Sequence, residues 1–447
     1  MGALTSRLSL SPDLVTDLLA ARTQMALSLG FHIVFAELGI ALPLMMVIAE
    51  LMWRRTGDRT YLDLATRWAK GTAILFAVGA VSGTVLSFEL GLLWPGFMRL
   101  AGPLIGIPFS LEGFAFFLEA IFLGIYLYGW DRVGPRAHLA AGLIVAASGA
   151  ASAIFVVMVN AWMNTPVGYE LAQNGKLIGI DPVRGMQSPA AFQQALHMLL
   201  ASYAATGFAV AGVHAWITWR GRPSAFHRRA LAIALAVGAP AAVLQPLSGD
   251  ISARVVATTQ PVKLAALEGQ WETMRRAPLR IGGWPDAERE TTRFAVEIPG
   301  GLSLLAYHDI NAEVQGLTSV PREDRPPVAV VHLAFQTMVG LGSLMALIAL
   351  YAGVIAWRTR ELSTDRLLLI ALALATPCGF IATEAGWIVT EVGRQPWVVQ
   401  GLMRTGDAVT PMPGLIVPLS LFTLLYVGLG AVVVSLIASL VRETAAS

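Results

Sequence analysis

The chain alternates between long apolar runs and short polar breaks, and the length of the runs decides the architecture. A helix needs about 20 mostly apolar residues to cross roughly 30 Å of hydrocarbon. Nine stretches reach that length: 24–53, 68–94, 104–130, 137–162, 190–219, 229–248, 328–357, 367–391 and 413–441. Uninterrupted runs of this kind cannot be the alternating strands of a barrel, so the pattern predicts an all-α, polytopic membrane bundle of nine transmembrane helices. Several runs exceed 25 residues, which implies tilt or extensions beyond the membrane. Residues 1–23 have neither a basic start nor a small-residue cleavage site and read as a retained amphipathic lead-in rather than a signal peptide.

Basic residues in the short loops give the orientation. Arg54, Arg55, Arg59, Arg67, Arg132, Arg136, Arg220, Arg222, Arg228, Arg229, Arg358, Arg360 and Arg366, thirteen in all, fall in one alternating set of loops. Arg99, Lys176, Arg184, Arg394 and Arg404, five, fall in the other. The Arg-rich side is expected to be cytoplasmic, with the N-terminus outside and, after nine crossings, the C-terminus inside. One connection departs from the pattern: residues 250–326 hold 20 charged residues in 77, against 40 in the other 370. The expected division is therefore helices 1–6 over 1–248, a periplasmic loop over 249–327, and helices 7–9 over 328–447. A loop this long in a compact bundle is more often functional than idle. No internal repeat of the kind that marks the inverted halves of a secondary transporter is visible.

Composition narrows the class. Of 447 residues, 55% are apolar and 13% charged, against about 25% charged in soluble domains, and the mean hydropathy is +0.64. The lone Cys378 excludes a disulfide scaffold and a thiolate metal cluster. No Cys-x-x-Cys-His is present for covalent haem attachment, and a net charge of +2 is too small to suggest a nucleic-acid partner.

Ionisable groups within spans are costly and are functional candidates by default. His138 and His227 stand at the Arg-rich helix ends and His214 near one, where anchoring at the membrane interface is expected; His308 lies in the outer loop, in solvent. His32, His197 and His332 fall in the outer third of their spans, where a single histidine is more often a hydrogen-bonded core residue than a ligand. Glu112 and Glu119 are seven residues apart, hence on one helical face and about 10.5 Å apart along it. Glu384 and Glu391 repeat that spacing. Each pair is expected to form a ladder from the outer third, at Glu112 and Glu391, toward the membrane middle, at Glu119 and Glu384. The plain reading is helix–helix hydrogen bonding by protonated acids; two ladders beside outer histidines favour proton delivery to a buried reaction centre. Glu37, Glu50 and Glu89 lack such spacing and are weaker candidates. Met338 sits at the same outer depth, and a Met in an apolar helix is usually packing. Paired with His197 across the bundle, it could complete a six-coordinate haem iron. Arg394 and Arg22 mark the outer boundary, where guanidinium groups suit haem propionates or lipid headgroups.

A specific stretch, GWIVTEVGRQPW over Gly386–Trp397, resembles the GWxxxExGRQPW signature of cytochrome bd quinol oxidase subunit I. ARTQMALSLGFH ending at His32, LEGFAFFLE at Leu111–Glu119, GWDR at Gly129–Arg132, VNAWMNTP at Val159–Pro166 and KLAALEGQWET at Lys263–Thr273 continue the resemblance in order. It covers about residues 20–440, and the compact outer loop looks like the short-loop branch that includes cyanide-insensitive oxidases. The resemblance implies His197 and Met338 as axial ligands of a low-spin haem b. It implies His32, Glu112 and Glu391 as residues serving two high-spin haems, one haem b and one haem d (or a third haem b), without saying which holds which iron. Glu119 matches a carboxylate on a proton route, Trp387 an aromatic between haems, and Arg394 a propionate partner. Lys263 and Glu268 match charged residues of a quinol-binding loop; without the resemblance they would read as a solvated loop face. Gln336 departs from a branch that carries Arg there, which touches the potential of the low-spin haem. His332 is rotated away from Met338 and is expected to be structural.

The reaction implied is quinol:oxygen oxidoreduction of the cytochrome bd-type ubiquinol oxidase kind, at the bacterial inner (plasma) membrane. Electrons pass from membrane quinol through the low-spin haem to the high-spin pair, where dioxygen becomes water. Quinol protons leave outward and substrate protons climb from the cytoplasm through Glu119, so the chemistry is electrogenic without a pump. A second membrane subunit (subunit II) is an implied partner, and a small single-span subunit a further candidate. Two rivals use the same residues: a non-catalytic haem electron-transfer subunit, and a proton-coupled secondary transporter.

Overall fold

The computed structural model describes residues 12–445, and among them nine helical segments are long and apolar enough to cross a membrane. They are α1 (Pro12–Thr56), α2 (Arg59–Leu93), α3 (Pro95–Tyr128), α4 (Pro135–Asn164), α5 (Ala191–Trp219), α6 (Ala225–Thr259), α7 (Val328–Thr359), the paired α8 (Arg366–Ala375) and α9 (Cys378–Val392), and α10 (Ile416–Ala445). The bundle and its nine crossings are those expected from the apolar runs. The excess length appears as helix continued past the apolar run, because polar residues there pair within the helix. The clearest case is α6, which runs to Thr259 rather than ending near 248: Arg254 Nη2 meets Asp250 Oδ2 at 2.6 Å one turn away, and Ser252 donates to Gln193 Oε1. Of the amphipathic lead-in expected over 1–23, residues 12–23 form the first turns of α1, and the rest lies outside the described residues. Asp17 in those turns accepts the Leu415 N–H at 2.8 Å, tying the start of α1 to the start of α10.

Local chemistry sets the ends. The Asp58, Ser224 and Asp365 side chains accept backbone N–H groups of the first turns of α2, α6 and α8, the donors that a helix start leaves unpaired. Pro95 and Pro135 occupy the first positions of α3 and α4, where the missing N–H costs nothing. The main core is apolar on both sides of each contact, with Met45, Leu64, Phe208, Ala211, Leu231, Ala234, Met345 and Leu372 buried from α1, α2, α5, α6, α7 and α8.

The eighth span is broken where Pro377 follows Thr376. Pro377 has no N–H for the Ala373 carbonyl one turn back, and Thr376 Oγ1 takes its place, donating to that carbonyl at 2.8 Å. Gly212 of α5 lets the kink approach: a Cβ there would lie 2.0 Å from Thr376 Oγ1.

Between α6 and α7 the charged connection folds as a small cap. A short helix, Pro261–Glu268, is followed by three two-stranded ladders (274–275 with 313–314, 279–281 with 296–298, 284–286 with 291–293) and a second short helix, Gly301–Tyr307. Leu264, Ala277, Leu302, Ala306 and Val314 bury themselves against Ala257 of α6, which seats the cap on the bundle. His332 of α7 fastens it, with Nδ1 on the Leu267 carbonyl at 2.7 Å and Nε2 on the Gly282 carbonyl at 3.1 Å. The structural role expected of His332 is the one observed, and His308 is exposed as expected.

Gly212→Val is expected to destabilise the protein by about 1–3 kcal/mol through overpacking at the kink. Gly124→Ala, whose new methyl meets nothing within 4 Å, is expected to leave the melting temperature unchanged or raised; thermal unfolding of the two purified variants checks both.

Candidate functional site

The chemistry-bearing side chains collect toward the end of the bundle that carries the cap. The densest group joins four elements. Glu391, at the end of α9, accepts Arg394 Nη2 at 2.6 Å and the side-chain amide of Asn160 from α4. Asn164, one turn beyond Asn160 and held to its carbonyl at 2.9 Å, accepts from Lys263 Nζ at 2.8 Å, and Lys263 also donates to the Thr390 carbonyl at 3.0 Å. Lys263 and Glu268 are both buried, at 5% and 4% exposure. This corrects the solvated loop face that their spacing alone suggested, because the short helix is enclosed between the rest of the cap and the ends of α7 and α9. They part company there: Lys263 joins Glu391, whereas Glu268 points toward Arg280 and leaves Oε2 unpartnered.

Burial sets the charge of both. It lowers the Lys263 ammonium to about 7, with the like charge of Arg394 acting the same way and Glu391 opposing it. A neutral amine keeps two N–H groups, which match its two acceptors. Burial pushes the Glu268 carboxyl up to about 8, against the pull of Arg280.

The histidine and thioether donors are each set in place by a second helix. His197 Nδ1 meets Ser248 Oγ at 2.8 Å, and its Nε2 faces the Gln245 amide at 3.1 Å, both from α6. His32 Nδ1 meets Ser82 Oγ of α2 at 2.9 Å. Glycine lies beside each donor: a Cβ on Gly249 would stand 3.6 Å from His197 Cε1, on Gly83 3.0 Å from His32 Cε1, and on Gly386 3.1 Å from Met338 Sδ. Trp387, next to Gly386 on α9, is half-buried. Glu119 is buried, with its carboxyl between Gly39 of α1 and Gly149 of α4. Glu112 faces Ser152 of α4. Because α3 begins at Pro95, nine residues before its apolar run, Glu112 stands near mid-helix and not in the outer third of that element. Arg22 is exposed and lines a cavity of about 370 Å³ with Arg325, Gln395 and Arg404, whereas Arg394 is buried with Nη1 unpartnered.

Other polar groups emerge only in three dimensions. Glu37 is buried with both oxygens unpartnered, close to Glu384, which is packed against Gly30 and lines a groove between α7 and α9. Glu89 accepts from Gln24 and Ser28 of α1 at 2.9 and 2.8 Å. Gln336 accepts the Gly282 N–H at 2.9 Å and donates to the Arg280 carbonyl at 3.0 Å, a dual role open to an amide and closed to the donor-only guanidinium. His138, His214 and His227 are buried at 1%, 5% and 2% exposure. They are not the interface anchors their helix-end positions suggested: His214 and His227 pair with each other at 2.9 Å, and His138 meets a carboxylate.

A membrane bundle offering an imidazole, a thioether and buried carboxylates on facing helices has the donor set of a haem protein. Residues 20–445 match the family cytochrome bd terminal oxidase subunit I, and the chain belongs to it. Similar proteins include the putative cytochrome bd menaquinol oxidase subunit I of Bacillus subtilis (strain 168), 40% identical over 94% of this chain and 95% of that one. The cytochrome bd ubiquinol oxidase subunit 1 of the same organism is 31% identical over 94% and 93%, and the cytochrome bd-II ubiquinol oxidase subunit 1 of Escherichia coli (strain K12) 30% identical over 87% and 88%. The solved bd oxidase from Geobacillus thermodenitrificans superposes with a TM-score of 0.88 at 40% identity, covering 96% of this chain and 98% of that one. The protein is thus an oxidoreductase subunit of a terminal quinol oxidase in respiratory electron transport, passing many times through the bacterial inner membrane. The family implies haem, a quinol, dioxygen and a subunit II, and membership removes the transporter reading. The residues present fit haem: the donors have glycine beside them, and Arg394 Nη1 is a buried donor lacking an acceptor. Among the described residues no group of three or more His, Cys, Asp or Glu could hold a bare metal ion, and a porphyrin, which supplies four nitrogens, needs none.

Lys263 is neutral in the fold above about pH 7, yet protonated in the unfolded chain up to its ordinary value, so the folded state binds fewer protons in between. Thermal stability of the wild type relative to Lys263→Met is therefore expected to rise from pH 7 to pH 10, and differential scanning at stepped pH measures it.

Proposed function

We propose that this chain holds three haems and couples quinol oxidation on one side of the membrane to dioxygen reduction with protons from the other. His197 and Met338 would hold a low-spin haem b. His32, Glu112 and Glu391 would serve two high-spin haems, one b and one d (or a third b). When bound, the haems supply the electron relay and the iron at which dioxygen is reduced to water. The single observation carrying the reading is the convergence of buried Lys263, Asn160, Asn164 and Arg394 on the half-buried Glu391, under a cap that also buries Glu268.

The chain's own groups do the rest. Glu268, neutral while empty, ionises to accept a quinol hydroxyl proton, and Arg280 favours the charged form. Lys263, on taking up a proton, gains a third N–H beyond the two given to Asn164 and the Thr390 carbonyl and would offer it to the developing phenolate. Arg394, with one nitrogen free, would pair a haem propionate while the other restrains Glu391, and Arg22 lines the adjoining cavity with the same complement of cations. Trp387 would stand between the haems. Glu119 would pass protons upward from the Arg-rich end, which the loop charges make cytoplasmic. Release of quinol protons at the cap and uptake at the far end then make the reaction electrogenic without a pump. The relatives' names divide between menaquinol and ubiquinol, and both offer the same pair of hydroxyls, so the proposal is for quinol as a class.

Glu391→Ala is expected to abolish oxygen consumption and remove the high-spin signals from the reduced-minus-oxidised spectrum while the low-spin signal persists. Retained oxygen consumption would refute the site. In quinol oxidation, kcat/KM is expected to rise with pH through about 8 as Glu268 ionises. Glu268→Gln should lower it by about 100-fold and flatten that rise.

A further inference from the structure

We propose that Glu50 and His138 form a proton-loading site at the Arg-rich end of the bundle, feeding Glu119 along one seam between α1, α3 and α4. The inference rests on the reading of Glu119 as a proton carrier and extends it to the residues that supply it.

Glu50 is fully buried in α1. Its Oε1 accepts from Arg54 Nη2 at 2.5 Å and faces His138 Nδ1 of α4 at 3.0 Å. The other ring nitrogen, His138 Nε2, lies 2.9 Å from the Tyr126 carbonyl of α3. A carbonyl only accepts, so Nε2 must carry hydrogen. Nδ1 and Oε1 then cannot both present lone pairs at 3.0 Å, and a proton has to sit between them. The site therefore holds one proton more than a neutral imidazole and a free carboxylate would. That proton is shared by two bases of different kinds. Arg54 is the outlet to solvent, 23% exposed where Glu50 is 0%, and it lies over the Trp53 ring. Tyr126 and Trp130 pack on adjacent sides of the imidazole, at 4.5 and 4.0 Å between ring centroids, and the Tyr126 hydroxyl stands close to Glu50. Glu50 Oε2 is buried and unpartnered.

The seam leads to Glu119. Gly39 and Glu50 are eleven residues apart on α1, as are His138 and Gly149 on α4, and eleven residues are close to three turns, returning to one helical face about 16.5 Å away. Glu119 and Tyr126 share a face of α3 at two turns. All three helices therefore turn the same side inward, with the Glu119 carboxyl between Gly39 and Gly149 at one level and Glu50, His138 and Tyr126 at the other. Pro43 has no N–H to give the Gly39 carbonyl, and that oxygen lies with both Glu119 oxygens 3.4 Å from the position of a Gly149 Cβ. An acceptor is thus left beside Glu119 where the seam ends. Between the two levels the Tyr126 ring and Val47 close on Gly142, where a Cβ would lie 2.7 and 2.8 Å from them, so in transfer the shared proton leaves Nδ1/Oε1 and protonates the Glu119 carboxylate through water admitted when that contact opens; a proton from solvent past Arg54 restores the pair.

The test uses the assembled oxidase with its haems. Glu50→Gln is expected to keep the haem spectrum and to lower quinol-driven oxygen uptake at least tenfold. Its solvent isotope effect should rise, the proton uptake seen by a pH dye after an oxygen pulse should slow, and Glu50→Asp should recover part of the rate. Glu119→Gln is run alongside. If Glu50→Gln keeps wild-type turnover and proton uptake while Glu119→Gln loses them, protons enter elsewhere and the inference falls. If both variants keep them, the reading of Glu119 falls with it. Should Glu50→Gln not assemble, His138→Gln, which still offers an N–H to the Tyr126 carbonyl, carries the same expectations and the same refutation.

Discussion

An ionised group taken into a bundle of apolar helices must bring its partner with it, or lose its charge. Nearly every feature of this protein follows from how that constraint is met. Lys263 sheds its charge and keeps two acceptors for its two remaining N–H groups. Arg394 cannot shed its charge, so it pairs with Glu391 and holds that carboxylate in one place, while Asn160 restrains it from a different helix. A group clamped from both sides is preorganised: it need not be recruited when chemistry begins. The same pairing explains why the cap folds at all. It is seated on the ends of α6, α7 and α9 through Ala257, His332 and Thr390.

The two ends of the bundle meet the constraint in different ways. At the cap end, charges neutralise one another across elements far apart in sequence. At the Arg-rich end, buried Glu50 and His138 face each other, and Glu50 reaches solvent through the part-exposed Arg54 guanidinium. Between them the middle of the bundle offers carboxyls next to glycine, at Glu119 and Glu384. A polarity profile of this kind suits an enzyme that takes up protons on one side and gives them up on the other.

Much of this was legible in the chain. Nine apolar runs gave nine crossings, because no other backbone arrangement satisfies its hydrogen bonds in lipid, and the ordered motifs pointed to the family that the comparisons show. Helix ends were less legible: α6 continues past 248 because Asp250 and Arg254 pair within the helix, a contact invisible to a hydropathy window. The histidines show the same limit. His138, His214 and His227 sit at helix ends in the sequence, and only the packing of α1, α3, α4, α5 and α6 encloses them. Asn160 and Asn164 carried one usable signal, their four-residue spacing, which puts two amides on one face near the end of α4. Glu37 had none, since its significance depends on Glu384 more than three hundred residues away.

The break at Thr376–Pro377 has a consequence of a different kind. A continuous helix transmits twist and axial displacement along its whole length. Here the segment bearing Trp387 and Glu391 is joined to the Arg-rich half of its span through a proline and side-chain bonds from Thr376 and Cys378. The Arg-rich half, whose Leu368, Leu369 and Leu372 sit in the main core, is therefore joined to the half that aims the carboxylate by a flexible joint rather than by an unbroken backbone ladder.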